Sequence, residues 1–198
     1  MTAPKTLLQL AGADLAPPRL GESVLLVIDA QGEYREGKLP LEGIDPSLEV
    51  LAGLLDRARE AGAAVIHVAH KGRAGGLFDR EAAGGAILPQ AAPRPGEAVV
   101  EKPLPSAFAG TDLAERLSTT GRKNLVIAGY QTHMCVSSTA RAALDLGYRV
   151  TIPADACATR ALPDPIGGEA ISGAAIHRHA LAELADRFAI VVPASALS

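Results

Sequence analysis

Short runs of apolar, largely β-branched residues alternate along this chain with longer segments in which Ala and Leu recur at helical spacing. The runs are SVLLVID at 23–29, AVIHVAH at 64–70, AVVEK at 98–102, KNLVIAG at 123–129, YRVTIP at 148–153 and AIVVP at 189–193. The periodic segments fall at 46–61, 111–119, 134–146 and 169–187. Short continuous apolar runs suit strands covered on both faces, and strand–helix alternation suits parallel strands joined by crossover helices. The pattern predicts an α/β fold, a parallel sheet with helices on both faces. Asp45 followed by Pro46 reads as a helix N-cap with proline in the first position, and Gly62 and Gly147 read as helix ends. The stretch 71–96 is rich in Gly, Ala and Pro with little periodicity, and reads as a long excursion over one edge of the active-site mouth.

No repeat and no polar linker divides the sequence, so residues 1–198 are expected to form one domain. In an open doubly wound sheet, ligands sit beyond the carboxyl ends of the strands, where the strand order reverses. That rule selects Asp29 at the end of the first run, Lys102 at the end of the third, and Cys135 just past the fourth. With strand order 3-2-1-4-5-6, the first and fourth strands are neighbours at the reversal, and Asp29 and Cys135 come together. Lys102 then has to reach inward from the edge strand.

Composition narrows the partners. Hydrophobic residues make up 48% of the chain but aromatics only 3%, and the formal charge of -3 comes without any run of Lys or Arg. A nucleic acid or an anionic membrane is therefore not the expected partner. No apolar run approaches the roughly 20 residues that cross a bilayer. The N-terminal stretch lacks the pattern of a secretion signal. A soluble cytoplasmic protein with reduced thiols is the expectation. Cys135 and Cys157 lack C-x-x-C spacing, so neither a zinc ribbon nor a redox pair is written here, although counting alone permits a disulfide.

Cys135 follows a strand and a short loop and sits where a helix begins. Exposed N–H groups and the positive end of a helix dipole stabilise a thiolate there, and can also receive the oxygen of a tetrahedral intermediate. The plainer reading of Cys135 is a small buried hydrophobe. Cys157, in ADACAT, lacks the loop-to-helix setting and reads as core. Asp29 at the end of a buried strand needs a partner or a function, though loop hydrogen bonds use Asp in the same place. Lys102 taken singly is a surface lysine. A thiol, a carboxylate and an ammonium at three strand ends facing one crevice fit an activated nucleophile.

Asp29-Ala30-Gln31 at the first strand end, Lys102 leading into Ser106-Ala107-Phe108, and GYQTHMCV at 129–136 together resemble the isochorismatase-like cysteine hydrolase superfamily, which includes nicotinamidases and N-carbamoyl amidohydrolases. The resemblance spans nearly the whole chain. It implies a three-layer α-β-α sandwich around a six-stranded parallel sheet, with an Asp29, Lys102 and Cys135 triad. It further implies a cis bond between Tyr130 and Gln131 and an oxyanion hole formed by the N–H groups of Gln131 and Cys135. The implied chemistry is attack of the thiol on a small amide, ureido or carbamoyl substrate, through a thioester, with no cofactor and in a homo-oligomer. Gln31, Tyr34, His70, Phe108 and His133 are the further candidates for substrate contact, each with a packing or solvent-facing alternative.

No metal is expected. Some nicotinamidase-type relatives bind a divalent ion through a D-x-H pattern after the second strand, and that pattern is absent. His67 and His70 lie on opposite faces of a strand and do not chelate together. His67 is expected beneath a helix, and His177 and His179 in solvent. Three other readings stand beside amide hydrolysis. Isochorismatases of the same superfamily cleave a vinyl ether without needing the thiol, and the presence of Cys135 argues for the amide chemistry. A nucleotide or flavin module is disfavoured by the lack of G-x-G-x-x-G at the first helix. A non-catalytic paralogue acting through protein contacts is the third.

Overall fold

The structure is a computed structural model that describes residues 3–198, so the first two residues of the N-terminal stretch read above fall outside it. In chain order its elements are α1 (Leu7–Leu10), β1 (Ser23–Ile28), α2 (Ile44–Glu60), β2 (Ala64–His70), β3 (Ala98–Lys102), α3 (Leu113–Thr119), β4 (Asn124–Tyr130), α4 (Ser137–Asp145), β5 (Arg149–Pro153), β6 (Cys157–Ala158), α5 (Gly173–Arg187) and β7 (Ile190–Val192). Every strand pairing is parallel, and the order is β3-β2-β1-β4-β5-β7, with β6 alongside the end of β4. The expected order 3-2-1-4-5-6 is the order found, the sixth expected strand being β7. The addition is β6, whose two residues are too few to carry a periodic signal.

All six residues of β1 are buried, because helices cover both faces of the sheet. Successive side chains point to opposite faces, and the two cores divide them accordingly. Leu25 and Val27 pack with Leu48, Leu51, Leu55 and Ala58 of α2. Val24, Leu26 and Ile28 pack with Leu113 and Leu117 of α3, Ala140 and Ala143 of α4, and Leu184 of α5. Burying one such side chain contributes about 1.5 to 3 kcal/mol. His67 is 1% exposed, with Nε2 2.9 Å from Oε2 of Glu97, and Arg59 of α2 holds the same carboxylate at 2.7 Å. It is packed on the α2 side of the sheet, as expected.

Several boundaries differ from the sequence pattern. Helix α2 starts at Ile44 rather than at Pro46, and its cap is Gly43 (φ 73°) rather than Asp45, which pairs instead with Arg35 at 2.9 Å. A missing N–H is tolerated anywhere in the first turn, where those groups have no helical acceptor, so proline does not fix the first residue. Helix α5 starts four residues later than expected, at Gly173, after the Ser172 side chain accepts the N–H of Ala175. Before α4 the chain makes one wide turn of π type over Thr132–Val136, so the helix expected from 134 opens with this turn and becomes regular at Ser137. The excursion at 71–96 holds two single turns, Ala83–Gly85 and Pro89–Ala91. It is tied to the end of β1 by Leu88 N–H to the Ala30 carbonyl (2.8 Å) and Gly32 N–H to the Ala86 carbonyl (3.0 Å).

Gly129 has φ 113°, and a Cβ there would meet the Ile28 carbonyl oxygen of the paired strand. Only glycine fits a position that combines this conformation with so close an approach. The Gly129→Ala protein is expected to lose at least about 2 kcal/mol in a urea unfolding titration, from backbone strain and displacement of β1.

Candidate active site

Asp29 is the first residue past β1, where the chain leaves the sheet in a left-handed conformation (φ 48°). Asp tolerates that region better than bulkier residues do. Its N–H bonds to the Val68 carbonyl (2.9 Å) and its carbonyl receives the N–H of Gln31 (2.8 Å), which fixes the carboxylate at the strand end. Lys102 ends β3 on the same face of the sheet as Val100, the face covered by α3 and α4, and Cys135 packs on that face too. From the edge strand its side chain crosses the end of β2 to reach β1, as the strand order requires.

The three side chains meet. Nζ of Lys102 lies 2.8 Å from Oδ2 of Asp29, 3.2 Å from Sγ of Cys135 and 3.3 Å from Nδ1 of His70. Asp29 and Lys102 have no exposed surface and Cys135 is 4% exposed. The Lys102–Asp29 contact is an ion pair with neither side chain exposed. Burial pushes the Asp29 carboxyl up, against the opposing pull of Lys102. The Cys135 thiol is pushed up to about 12 by burial and by the Asp29 charge, both acting against Lys102. Burial thus works against the thiolate expected from the helix-start setting, and Lys102 works for it. Cys135 sits inside the wide turn rather than at a free helix end, and desolvation there outweighs the field of Lys102.

The Tyr130–Gln131 bond is cis, and the Gln131 carbonyl accepts the N–H groups of Met134 (3.0 Å) and Val136 (3.2 Å). Thr132 ties the turn to its surroundings: its hydroxyl is 3.1 Å from the Ala158 carbonyl and 2.8 Å from Nδ1 of His177. His177 is thus half-buried rather than in solvent, because the first turn of α5 lies against the Thr132–Val136 turn; His179 is exposed. Cys157 is buried, and both cysteines are free.

The other candidates fall in different places. Gln31 is buried, and its amide is spent on backbone: it donates to the carbonyls of His70 (3.0 Å) and Gly85 (2.8 Å) and accepts the His70 N–H (2.8 Å). Tyr34 is buried edge-on to Phe78 and Tyr130, close enough to the triad for the Asp29 charge to add to burial in raising its phenol. Phe108 is half-buried and stacks on Tyr148, with centroids 6.4 Å apart. His133 is half-buried and bonds through Nδ1 to the Thr159 hydroxyl. Arg160 was not singled out from the sequence, where a lone Arg in a loop carries no signal. Its Nε is buried without a partner among the described residues, and its charge adds to the burial that lowers His133 and opposes the raising of Tyr34.

Open volume lies mostly away from the sulfur. A cavity of about 370 Å³ is bounded by Leu8, Leu15, Tyr148 and Phe188, and one of about 360 Å³ by Glu42, Ser47, Cys157 and His177. Neither includes a triad side chain, and Cys135 itself is 4% exposed. Among the described residues, no group of three or more His, Cys, Asp or Glu is placed to hold a metal ion, and no helix is long and apolar enough to cross a membrane.

The family model described as an isochorismatase domain matches residues 23–196. The chain is 42% identical to the isochorismatase of Pseudomonas putida KT2440, whose crystal structure superposes with a TM-score of 0.94 over 99% of this chain and 100% of that one. It is 41% identical to the secreted isochorismatase effector Isc1 of Verticillium dahliae, over 86% of this chain and 87% of that protein. It is 30% identical to a ureidoacrylate amidohydrolase of Stutzerimonas stutzeri, over 70% of each. With the sheet order, the domain match and these relatives in agreement, the chain belongs to the isochorismatase family of hydrolases.

Proposed function

We propose that this protein is a cysteine-dependent hydrolase that cleaves the C–N bond of a small amide, ureido or carbamoyl substrate. The observation that carries the reading is the buried cluster of one thiol, one carboxylate and one ammonium, with Nζ within 3.2 Å of both Oδ2 and Sγ. A thiol at rest beside a carboxylate whose pKa burial has raised is a matched donor and base. On substrate binding, Asp29 takes the proton of Cys135 and the sulfur attacks the carbonyl carbon. The N–H groups of Gln131 and Cys135 receive the negative oxygen, and Lys102 balances the charge that passes between sulfur and carboxylate. Asp29 then gives its proton to the departing nitrogen as the C–N bond breaks, leaving a thioester. Water, deprotonated by Asp29, attacks the thioester; sulfur leaves and recovers its proton, and the acid is released.

Arg160, whose Nε is buried without a partner among the described residues and whose charge reaches Tyr34 and His133, favours a substrate that carries a carboxylate. A second reading is vinyl-ether cleavage. It is supported by the names of two relatives that share more than 40% identity with this chain, against 30% for the amidohydrolase. Exposed Leu104 and Met134, each close in the chain to a triad residue, support a homo-oligomer whose second copy covers this side of the molecule.

Ammonia release from a panel of small amides, ureides and carbamoyl compounds tests the chemistry. The Cys135→Ala protein is expected to lose at least ~10³-fold in kcat. Undiminished turnover in that variant would move the assignment to a thiol-independent reaction such as vinyl-ether cleavage. Lys102→Met leaves the Asp29 charge buried and unpaired, and is expected to cost about 3 to 5 kcal/mol in denaturant unfolding. Light scattering of the purified protein is expected to give the mass of a dimer or larger assembly; a monomer at micromolar concentration removes the oligomer from this reading.

A further inference from the structure

His70 closes β2 in register with Lys102 on β3. In-register residues on adjacent strands leave the sheet on the same face, so the imidazole and the lysine stem lie side by side. An ammonium has three N–H groups and no lone pair. Those of Lys102 face Oδ2 of Asp29, Sγ of Cys135 and, at 3.3 Å, Nδ1 of His70. The nitrogen turned towards Lys102 must present a lone pair, which puts the ring proton on Nε2. The ring is held in this pose from both sides. The Gln31 amide takes both backbone polar groups of His70, and the Phe78 ring packs edge-on against it with centroids 5.1 Å apart. His70 is only half-buried, whereas Asp29 and Lys102 are sealed.

We propose that His70 is a positioning residue for the hydrolysis set out above: its neutral ring holds the Lys102 ammonium by accepting the third hydrogen bond, and a proton taken from solvent releases that ammonium and switches the site off. The inference rests on that reading of the triad. A protonated ring has donors on both nitrogens, so the contact at 3.3 Å turns from attraction into repulsion of like charges. The charged and titratable groups around the ring are Lys102 on β3, with Asp29 and Cys135 beyond it, and Tyr34 on the far side of Phe78. Next along the chains are Lys71, Arg80 and Glu101, which satisfy one another at 2.8 and 3.1 Å. Burial and the Lys102 charge hold the ring down to about 4, so the accepting form prevails at neutral pH and is lost as pH falls through that value. Protonation of Asp29 adds a second loss on the same acid limb.

Two variants separate this role from packing and from substrate contact. His70→Phe keeps an aromatic ring against Phe78 and removes the acceptor; His70→Asn keeps an acceptor near the Nδ1 position and cannot titrate. The first readout is the rate at which iodoacetamide alkylates Cys135, followed by mass spectrometry at pH 8, which needs no substrate. His70→Phe is expected to be about tenfold slower than wild type, because a displaced ammonium no longer favours the thiolate, and His70→Asn close to wild type. With a hydrolysed amide in hand, His70→Phe is expected to lose on the order of 10²-fold in kcat with KM little changed. Below about pH 4, over the range where circular dichroism shows the fold intact, log(kcat/KM) should fall more steeply in wild type than in His70→Asn. Wild-type alkylation of His70→Phe, an effect confined to KM, or an unchanged acid slope in His70→Asn would each overturn the proposal. Full turnover by Cys135→Ala would instead defeat the cysteine mechanism, and the alkylation comparison would still decide the His70–Lys102 contact.

Discussion

Two full charges 2.8 Å apart with no exposed surface govern the arrangement of this molecule. Taking a carboxylate and an ammonium out of water costs several kcal/mol each, and their mutual attraction offsets this only when the geometry is held rigidly. That rigidity comes from the sheet. Asp29 is pinned by backbone bonds to Val68 and Gln31, while Lys102 is placed by the register that sets it beside His70. Neither residue has a stable home without β2 between them, so the end of β2 belongs to the site as much as the residues that bear the chemistry do.

The same seclusion sets the protonation states. Burial raises both Asp29 and Cys135, and Lys102 opposes it at both. An exposed thiol in such company would ionise readily, whereas burial holds this one towards the protonated form against the pull of Lys102.

The excursion at 71–96 connects to the site through Gln31 and through Phe78, whose ring packs on His70. Gln31 holds the end of β2 with one part of its amide and the Gly85 carbonyl with another, next to the bonds that join residues 30 and 32 to residues 88 and 86. Displacing the excursion therefore disturbs the backbone of His70 directly, and through His70 the third contact of Lys102. The excursion and the Asp29–Lys102–Cys135 cluster are thus joined through the end of β2 by hydrogen bonds to its backbone.

Local pattern determined the layers and the strand ends at Asp29 and Lys102, because an apolar run stops where its two covering faces stop and a strand end is readable without knowing its neighbours. The family motifs at 29–31 and 129–136 located Cys135 and the cis bond for the same reason: each is a short contiguous segment. Tertiary structure alone decided how the polar groups are used. Gln31 is spent on backbone, His177 faces the Thr132 turn, Arg160 buries a bare Nε, and His70 lies 3.3 Å from the Lys102 ammonium. The caps at Gly43 and Ser172 and the two-residue β6 escaped as well. A hydrogen bond or a pKa depends on which remote segments lie within about 3 to 4 Å and on how much water they exclude, and neither quantity is written in the spacing of residues along one strand.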